Sequence, residues 1–294
     1  MVENRSILRV KRTHSYFVGH ALVRSVVSLL VGAAIACSAT GERADAKSTA
    51  TNKRESSSGA IASSPTPYRA QALTQSGSIS GHVLIDGDVP RDSTITLAAT
   101  EAPGVCGTSV PDQSLLHSGP TLGNAVVWVT DARAGRALPV ERRFEIVHEH
   151  CLFTTRVITA TVGSTINVRN EDPVEYRLRA VRDGAGGGGG TNDTLGVFRM
   201  SDAGQVVPND VIAKSPGLVR IDCAQHPWAK AWVAVFDHPY FAVTGTDGAF
   251  RIDSLPPGTY HVRVWHERGK AAVEESVEVK AGSNAALDVR VPLR

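Results

Sequence analysis

From Gly77 onward, apolar and polar residues alternate in short runs that end at Gly, Pro, Asp or Asn. A period of two is typical of β-strands with one buried face. No window shows a helical stripe of useful length. The predicted strands are Ser78–Ile85, Asn124–Thr130, Arg156–Val162, Thr165–Asn170, Glu175–Asp183, Gly217–Cys223, Ala231–Phe236, Ala249–Asp253, Tyr260–Glu267, Glu275–Lys280 and Ala286–Leu293. The pattern predicts an all-β protein built from sandwiches.

One long interruption separates the strands in the middle of the chain. Residues 182–217 contain five consecutive glycines, 186–190. Such a run holds no single conformation by itself, so we predict a mobile loop over 182–217. A phosphate-binding loop is disfavoured, because no Gly-Lys-Ser/Thr ends the run and no helix is predicted after it.

The first 37 residues have the pattern of an export signal. Basic residues precede the apolar run Val26–Cys37, which is short for a membrane span. Ala34-Ile35-Ala36 fits a signal-peptidase site, and also a loose lipobox that would make Cys37 a lipidated N-terminus; an uncleaved anchor is the third alternative. Each alternative exports the rest of the chain to the periplasm or cell envelope, with membrane attachment only through this segment.

Residues 38–76 are rich in Ser, Thr, Ala and charge and contain few large apolar side chains. This composition buries too little surface to offset the entropy of ordering, so we predict a disordered tether. In the whole chain, 31 basic residues nearly balance 29 acidic ones, giving a net charge of +2. That balance provides no field for a nucleic acid partner.

Cysteine content bears on the exported part. With Cys37 removed or lipidated, Cys106, Cys151 and Cys223 remain, and an oxidising compartment favours one disulfide. We predict the pair Cys106–Cys151 with Cys223 free, although spacing alone leaves the other pairings open.

Two segments, "ATVGSTINVRNEDPVEYRLRAV" and "PGLVRIDCAQHPWAKAWVAVFDHPYFAVTGTDG", carry a first resemblance. Together they resemble the cupredoxin family of blue-copper proteins, the amicyanin type linked to methylamine utilisation in particular. The resemblance covers 124–237, and the Cys-x-x-His-Pro loop is its most specific part. It implies a Greek-key sandwich with copper held by two His, one Cys and an axial Met.

The segment "FAVTGTDGAFRIDSLPPGTYHVRVWHE" is similar to the carboxypeptidase regulatory-like module, a transthyretin (prealbumin)-type sandwich. Thr-Asp-Gly at 246–248 predicts a hairpin turn, and Pro-Pro-Gly at 256–258 a second turn with Gly258 at positive φ. "GSISGHVLIDGDVP" resembles the opening strand of that module. We therefore expect a split module, 77–123 plus 238–294, with the cupredoxin-like domain inserted in it.

The cupredoxin pattern can be tested residue by residue. Cys223 and His226 match the thiolate and the second imidazole, whereas Tyr176 and Ala229 stand where the first His and the axial Met belong. An axial Met can be lost, but an equatorial His is a stronger ligand. A Tyr phenolate is disfavoured by its ordinary pKa near ~10. Candidate replacement ligands are His148, His150, His238 and His266. We expect ordinary surface or edge histidines at these positions and a degenerate site without a cofactor, copper being the alternative.

Other chemistry is sparse. Glu171 and Asp172 precede Pro173 and are expected to be solvated turn residues, and "HEH" is not a zinc-protease motif. No nucleophile elbow occurs, so an enzyme is not expected. The aromatics Tyr240, Phe241, Tyr260 and Trp265 are expected in the core, with a sugar-stacking surface as the alternative.

Three functions follow from these observations. The first is an exported, non-enzymatic binding or assembly module with a protein or polysaccharide partner in the cell envelope. The second is a periplasmic copper-binding electron-transfer protein. The third is a carbohydrate-binding surface protein.

Overall fold

The computed structural model describes residue 61 and residues 66–98, 103–184 and 192–294. The predicted export segment 1–37, with Cys37, lies outside the described residues, as do most of the predicted tether and the glycine run 186–190. Within the described ranges, no helix is both long and apolar enough to cross a membrane.

The chain is built almost entirely from short strands, as the alternating pattern predicts. The elements are β1 (Arg69–Ala70), β2 (Gly77–Asp86), β3 (Thr94–Thr96), α1 (Pro103–Cys106), β4 (Ser109–Pro111), β5 (His117–Ser118), β6 (Thr121–Leu122), β7 (Val126–Val129), β8 (Ala134–Gly135), β9 (Arg143–Glu149), β10 (Leu152–Phe153), β11 (Val157–Thr161), β12 (Thr165–Asn170), β13 (Tyr176–Asp183), β14 (Asp193–Met200), β15 (Val206–Asn209), β16 (Gly217–Cys223), β17 (Lys230–Phe236), β18 (Phe241–Val243), β19 (Ala249–Leu255), β20 (Gly258–Trp265), β21 (Val273–Val279), β22 (Asn284–Ala286) and β23 (Val289–Pro292).

The strands form two sandwiches, here called the first and second lobes. In the first lobe, the sheet β10-β9-β12-β15 packs on the sheet β11-β17-β16-β13-β14 around one apolar core. In the second lobe, the sheet β18-β7-β20-β21 packs on β19-β2-β6-β5, with β22 and β23 paired to β2, around another core. The all-β sandwich class predicted from the pattern is therefore observed.

The two lobes share a third apolar cluster, because the strands at their junction are buried on both faces. On β17, Val233 points into the core of the first lobe, while Trp232 and Phe236 point away from it. These two rings meet Trp128 of β7 and Trp265 of β20. Such strands read as continuous apolar runs rather than alternating ones, which explains "AVVWV" and "AWVAVF".

The chain passes between the lobes more than once. The opening strand β2 pairs with β19, β22 and β23, as a split module requires. The insertion does not start at Asn124, however, because β7 pairs with β18 and β20 of the second lobe. In addition, the segment β3-α1-β4 leaves the predicted module 77–123 and packs on the core of the first lobe through Leu97, Cys106 and Val110.

The prediction of a mobile loop over residues 182–217 is largely wrong. It contains β14, which continues the sheet beside β13, and β15, which pairs with β12. Their side chains face solvent more often than the core, so they lack the apolar alternation that marks the other strands. Edge strands that are exposed over much of their length escape a pattern based on one buried face.

The predicted tether also ends earlier than residue 76. Ile61 lies in the cluster between the lobes, and β1 pairs with β8 in parallel. The Tyr68 hydroxyl donates to the Arg136 carbonyl at 2.6 Å, and its ring meets that of Tyr240 edge-on. The described residues 66–76 are thus bound to the second lobe.

The two predicted turns of the second lobe differ in their outcome. In Thr246-Asp247-Gly248, Asp247 accepts the Ala249 N–H and Gly248 has φ +71°, as a hairpin turn requires. A Cβ at Gly248 would also lie 2.6 Å from the Val83 carbonyl oxygen. At the second turn, the positive φ (58°) belongs to Ser254 rather than to Gly258, which corrects the expectation for Pro-Pro-Gly.

Candidate metal centre

A tight turn between β16 and β17 places Cys223 beside His226. The Ala229 N–H donates to the His226 carbonyl at 2.9 Å, which closes the turn. Cys223 Sγ lies 3.7 Å from His226 Nδ1, and both residues are buried. Two ligand bonds of ~2.0–2.3 Å that meet at about 120° span ~3.7 Å. The pair therefore has the spacing of two ligands to one ion.

A third ligand comes from β9 in the opposite sheet of the first lobe. His148 is fully buried, and its ring nitrogen and the ligand atoms of Cys223 and His226 all lie within 4.8 Å of one another. These three residues are called the ligand trio below. Neither ring nitrogen of His148 has a hydrogen-bond partner among the described residues. Buried polar atoms are normally paired, so this imidazole could serve as a ligand in the candidate site.

Asp172 supports His148 from behind. Its Oδ2 lies 3.8 Å from His148 Nδ1, an ion-pair distance rather than a hydrogen bond. The same carboxylate accepts the backbone N–H groups of His150 (2.8 Å) and Cys151 (3.0 Å). A carboxylate behind a histidine favours the tautomer with the proton on the near nitrogen, which leaves the other nitrogen as a lone-pair donor.

Asp172 is 3% exposed, so its predicted role as a solvated turn residue is wrong. Burial alone would raise the pKa of this carboxyl, but the neighbouring His148 and the hydrogen bonds that it accepts lower that pKa below its ordinary value. Asp172 thus remains a buried carboxylate. No periodicity marks it, because its burial follows from the pairing of β9 with β12.

Protonation of the trio follows from its burial. Burial lowers the pKa of His148, so its imidazole is neutral and keeps a lone pair. Burial raises the pKa of the Cys223 thiol, so without a cation the sulfur keeps its proton. A soft cation would displace that proton, because the thiolate is the ligand form.

Tyr176, which stands at the predicted position of the first His, is a buried supporting residue. Its hydroxyl donates to Asp172 Oδ2 at 2.6 Å and lies 3.4 Å from Cys151 Sγ. Burial and then this hydrogen bond to Asp172 raise its pKa far above the ordinary value, so the hydroxyl keeps its proton near neutral pH and donates it to Asp172. Ala229, at the axial position, is buried and its methyl group offers no donor.

A disulfide borders the trio. Cys106, at the end of α1, is bonded to Cys151, and their Cα atoms are 5.2 Å apart. Cys223 is a free buried thiol. Cys106 Sγ lies 3.7 Å from His226 Nε2, so each nitrogen of this imidazole faces a sulfur atom.

The other candidate histidines lie elsewhere. The His150 side chain is 77% exposed. His238 and His266 are buried, which corrects the expectation of surface or edge histidines. They accept the backbone N–H groups of Tyr240 and Arg268 at Nδ1. Burial lowers the pKa of each to about 4. Of the four candidate replacements, the structure brings only His148 into the site.

The predicted sugar-stacking aromatics do not form an exposed platform. Tyr240 and Trp265 are buried, and Trp265 packs against Trp232 with ring centroids 4.8 Å apart. Phe241 stacks on Phe236 at 4.6 Å, and Tyr260 donates to the Pro256 carbonyl at 2.8 Å. These rings are part of the packing within and between the lobes.

Comparisons with known proteins agree with both resemblances. Residues 217–292 match the carboxypeptidase regulatory-like domain family. This match begins on β16, so it includes two strands of the first lobe. No curated protein matches the chain.

Among solved structures, the chain is similar to cupredoxins. A purple cupredoxin from Nitrosopumilus maritimus is 18% identical with a TM-score of 0.24, over 31% of this chain and 97% of that one. Amicyanin from Paracoccus versutus is 16% identical with a TM-score of 0.27, over 33% and 84%. Auracyanin from Roseiflexus castenholzii is 14% identical with a TM-score of 0.26, over 33% and 98%. Similarity at this level assigns no ligand to the chain.

Proposed function

We propose that this chain is an exported copper-binding electron-transfer protein, with copper held by His148, Cys223 and His226. The observation that carries the proposal is the orphaned imidazole of His148, buried within 4.8 Å of a thiol and a second imidazole. A binding or assembly module without metal would have no need of this unpaired histidine.

The donor set favours copper over the common alternatives. One thiolate and two imidazoles in a trigonal arrangement suit copper, whereas structural zinc takes four protein ligands and calcium or magnesium takes oxygen. Ala229 leaves the axial direction without a protein donor. Bound copper would supply a one-electron change between Cu(I) and Cu(II).

The residues around the trio would favour fast electron transfer by holding the ligands in fixed positions. His148 and Cys223 come from facing sheets of a packed sandwich, so their positions are fixed before binding. The Asp172 carboxylate, 3.8 Å from His148 Nδ1, would favour one tautomer of that ring, and the ring of Phe153 meets the imidazole edge-on at 4.7 Å. Burial excludes water from the thiolate. Rigid, dry ligands reduce rearrangement between the two oxidation states.

Export and the absence of catalysis remain part of the proposal. A signal-like segment over 1–37 and a disulfide in the first lobe both suit an oxidising compartment outside the cytoplasm. A buried trio leaves little room for a substrate, so we infer a carrier rather than a catalyst.

Titration of the full-length exported chain with Cu(II) tests this function. We expect intense visible thiolate-to-copper absorption that saturates at one equivalent and is abolished in Cys223→Ser. Loss of a supporting outer-shell residue typically weakens metal affinity ~10–100-fold, and we expect His148→Gln, which removes a direct ligand, to exceed that range. His150→Gln, two residues away and exposed, is the matched control and should bind copper normally.

Two results would overturn the proposal. One is a copper titration of the folded wild-type chain without thiolate-to-copper absorption. The other is equal copper affinity in His148→Gln and wild type. Either result would return the chain to the interpretation as an assembly module with a degenerate site.

A further inference from the structure

The imidazole of His226 lies between two sulfur groups. Its Nδ1 is 3.7 Å from Cys223 Sγ, and its Nε2 is 3.7 Å from Cys106 Sγ. The first contact belongs to the ligand trio. The second points at the disulfide, which the proposed copper site does not use.

Cys151 completes a second set of candidate ligands. The sulfur atoms of Cys106 and Cys151 and a nitrogen of His226 lie within 4.8 Å of one another, and all three residues are buried. While the sulfurs are bonded to each other they are poor ligands. As two thiolates they would be strong ones.

The position of Cys151 does not depend on the disulfide. Its N–H donates to Asp172 at 3.0 Å, and its carbonyl accepts the indole N–H of Trp228 at 3.1 Å. These bonds act on the main chain from both sides. Cys106 is likewise buried in the core of the first lobe, against which its neighbour Val105 also packs. Cleavage of the sulfur–sulfur bond should therefore leave both thiols near His226.

We propose that the Cys106–Cys151 disulfide is a redox-controlled second metal site, which on reduction binds a thiolate-preferring cation such as Cu(I) together with His226. A dithiol reductant provides the two electrons and two protons: its own thiols become a disulfide, and the protein disulfide becomes two thiols. Cation binding then releases the two thiol protons to solvent.

The two sites compete for one residue. A neutral imidazole has one lone pair and serves one cation at a time. Oxidised chain would use Nδ1 of His226 with Cys223 and His148, and reduced chain would use Nε2 with Cys106 and Cys151. Reduction would thus move a bound cation between two sulfur environments. The second site shares His226 with the proposed copper site but does not require that the oxidised chain bind copper.

Cobalt(II) titration of the Cys223→Ser chain isolates the second site, because that variant lacks the thiol of the first. The oxidised variant should show no thiolate-to-cobalt absorption. After reduction by dithiothreitol and its anaerobic removal, the variant should bind one equivalent with the charge-transfer intensity of two thiolates. Adding His226→Gln should weaken this binding more than tenfold, whereas adding the exposed His150→Gln should not change it.

Circular dichroism and reaction with a thiol reagent accompany the titration. They report whether the reduced chain keeps its strands and whether two thiols have formed. A folded, fully reduced chain without cobalt–thiolate absorption would overturn the proposal, as would unfolding on reduction. Replacement of both Cys106 and Cys151 by Ser provides a second check, since it should abolish cobalt–thiolate absorption even after treatment with dithiothreitol. Copper absorption by oxidised wild type is measured separately, so the two proposals can fail independently.

Discussion

The buried histidines of this chain differ in the hydrogen bonds that their ring nitrogens make. His238 and His266 each accept a backbone N–H at Nδ1, so the neutral ring takes the place of a main-chain partner. His148 instead has both nitrogens without a hydrogen-bond partner in the described part of the chain. The first arrangement serves stability, and the second is the observation on which the proposed copper site rests.

His238 and His266 should make the protein acid-sensitive. Burial lowers the pKa of each from 6.5 to about 4, so between these values the unfolded chain binds protons that the folded chain does not. Their stabilisation is complete above pH 6.5 and is lost as the pH falls towards 4. Each shift corresponds to about 3 kcal/mol of unfolding free energy.

Urea unfolding at pH 7.5 and 4.5 measures this effect. We expect His238→Asn and His266→Asn, whose amide oxygen can accept the same N–H, to lose less stability on acidification than wild type. His150→Asn, at an exposed position, should behave as wild type. An unchanged pH dependence in both buried variants would contradict the assignment.

At the scale of elements, the candidate metal site depends on how the strands pair and not only on the sequence of each strand. The parallel pairing of β9 with β12 puts His148 opposite Asn170, and Asn170 Oδ1 accepts the N–H of Asp172 at 3.0 Å. Its amide also donates to the carbonyls of Val174 and Asp202. One buried side chain thus shapes the turn that carries the supporting carboxylate.

Asn170→Ala should destabilise the first lobe. The change leaves one buried N–H and two part-buried carbonyls without this partner, at a cost of about 2 kcal/mol. Chemical denaturation measures it, with the exposed Asn284→Ala as the matched control. Copper affinity should also fall, because the turn would no longer position Asp172. Equal stability of the two variants would show that the turn forms without this amide.

The sequence predicts a strand well where one face of the strand is buried, and poorly where both faces are largely exposed. Residues 78–85 and 165–170 alternate and are strands, whereas β14 is mostly exposed, lacks strict alternation and follows a glycine run. Cys223 and His226 are near in sequence, so their pairing could be predicted. The contribution of His148 could not, because it depends on a parallel register between strands separated in the chain. From the sequence alone, His148, His150, His238 and His266 are equivalent candidates, because only the pairing of the strands shows which of them enters the site.

At the scale of the molecule, a buried ion pair joins the two lobes. Arg156, just before β11 in the first lobe, and Glu267, just after β20 in the second, form two hydrogen bonds of 2.7 Å. Both side chains are nearly buried, at 5% and 9% exposure. The guanidinium also donates to the carbonyls of Trp228 and Lys230. The pair thus links the turn between β16 and β17 to the second lobe.

Removal of one partner of this ion pair should therefore lower the stability of both lobes. We expect Glu267→Gln to lower the free energy of unfolding by about 3–5 kcal/mol, because the Arg156 charge stays buried without its counter-charge. Glu278→Gln, whose exposed ion pair with Lys280 is worth at most about 1 kcal/mol, is the control. Since strands of each lobe are separated in sequence by strands of the other, tryptophan fluorescence and far-UV circular dichroism should report one shared transition in wild type. Two separate transitions in wild type would mean that the lobes unfold independently. Equal stability of the two variants would mean that the ion pair does not couple the lobes.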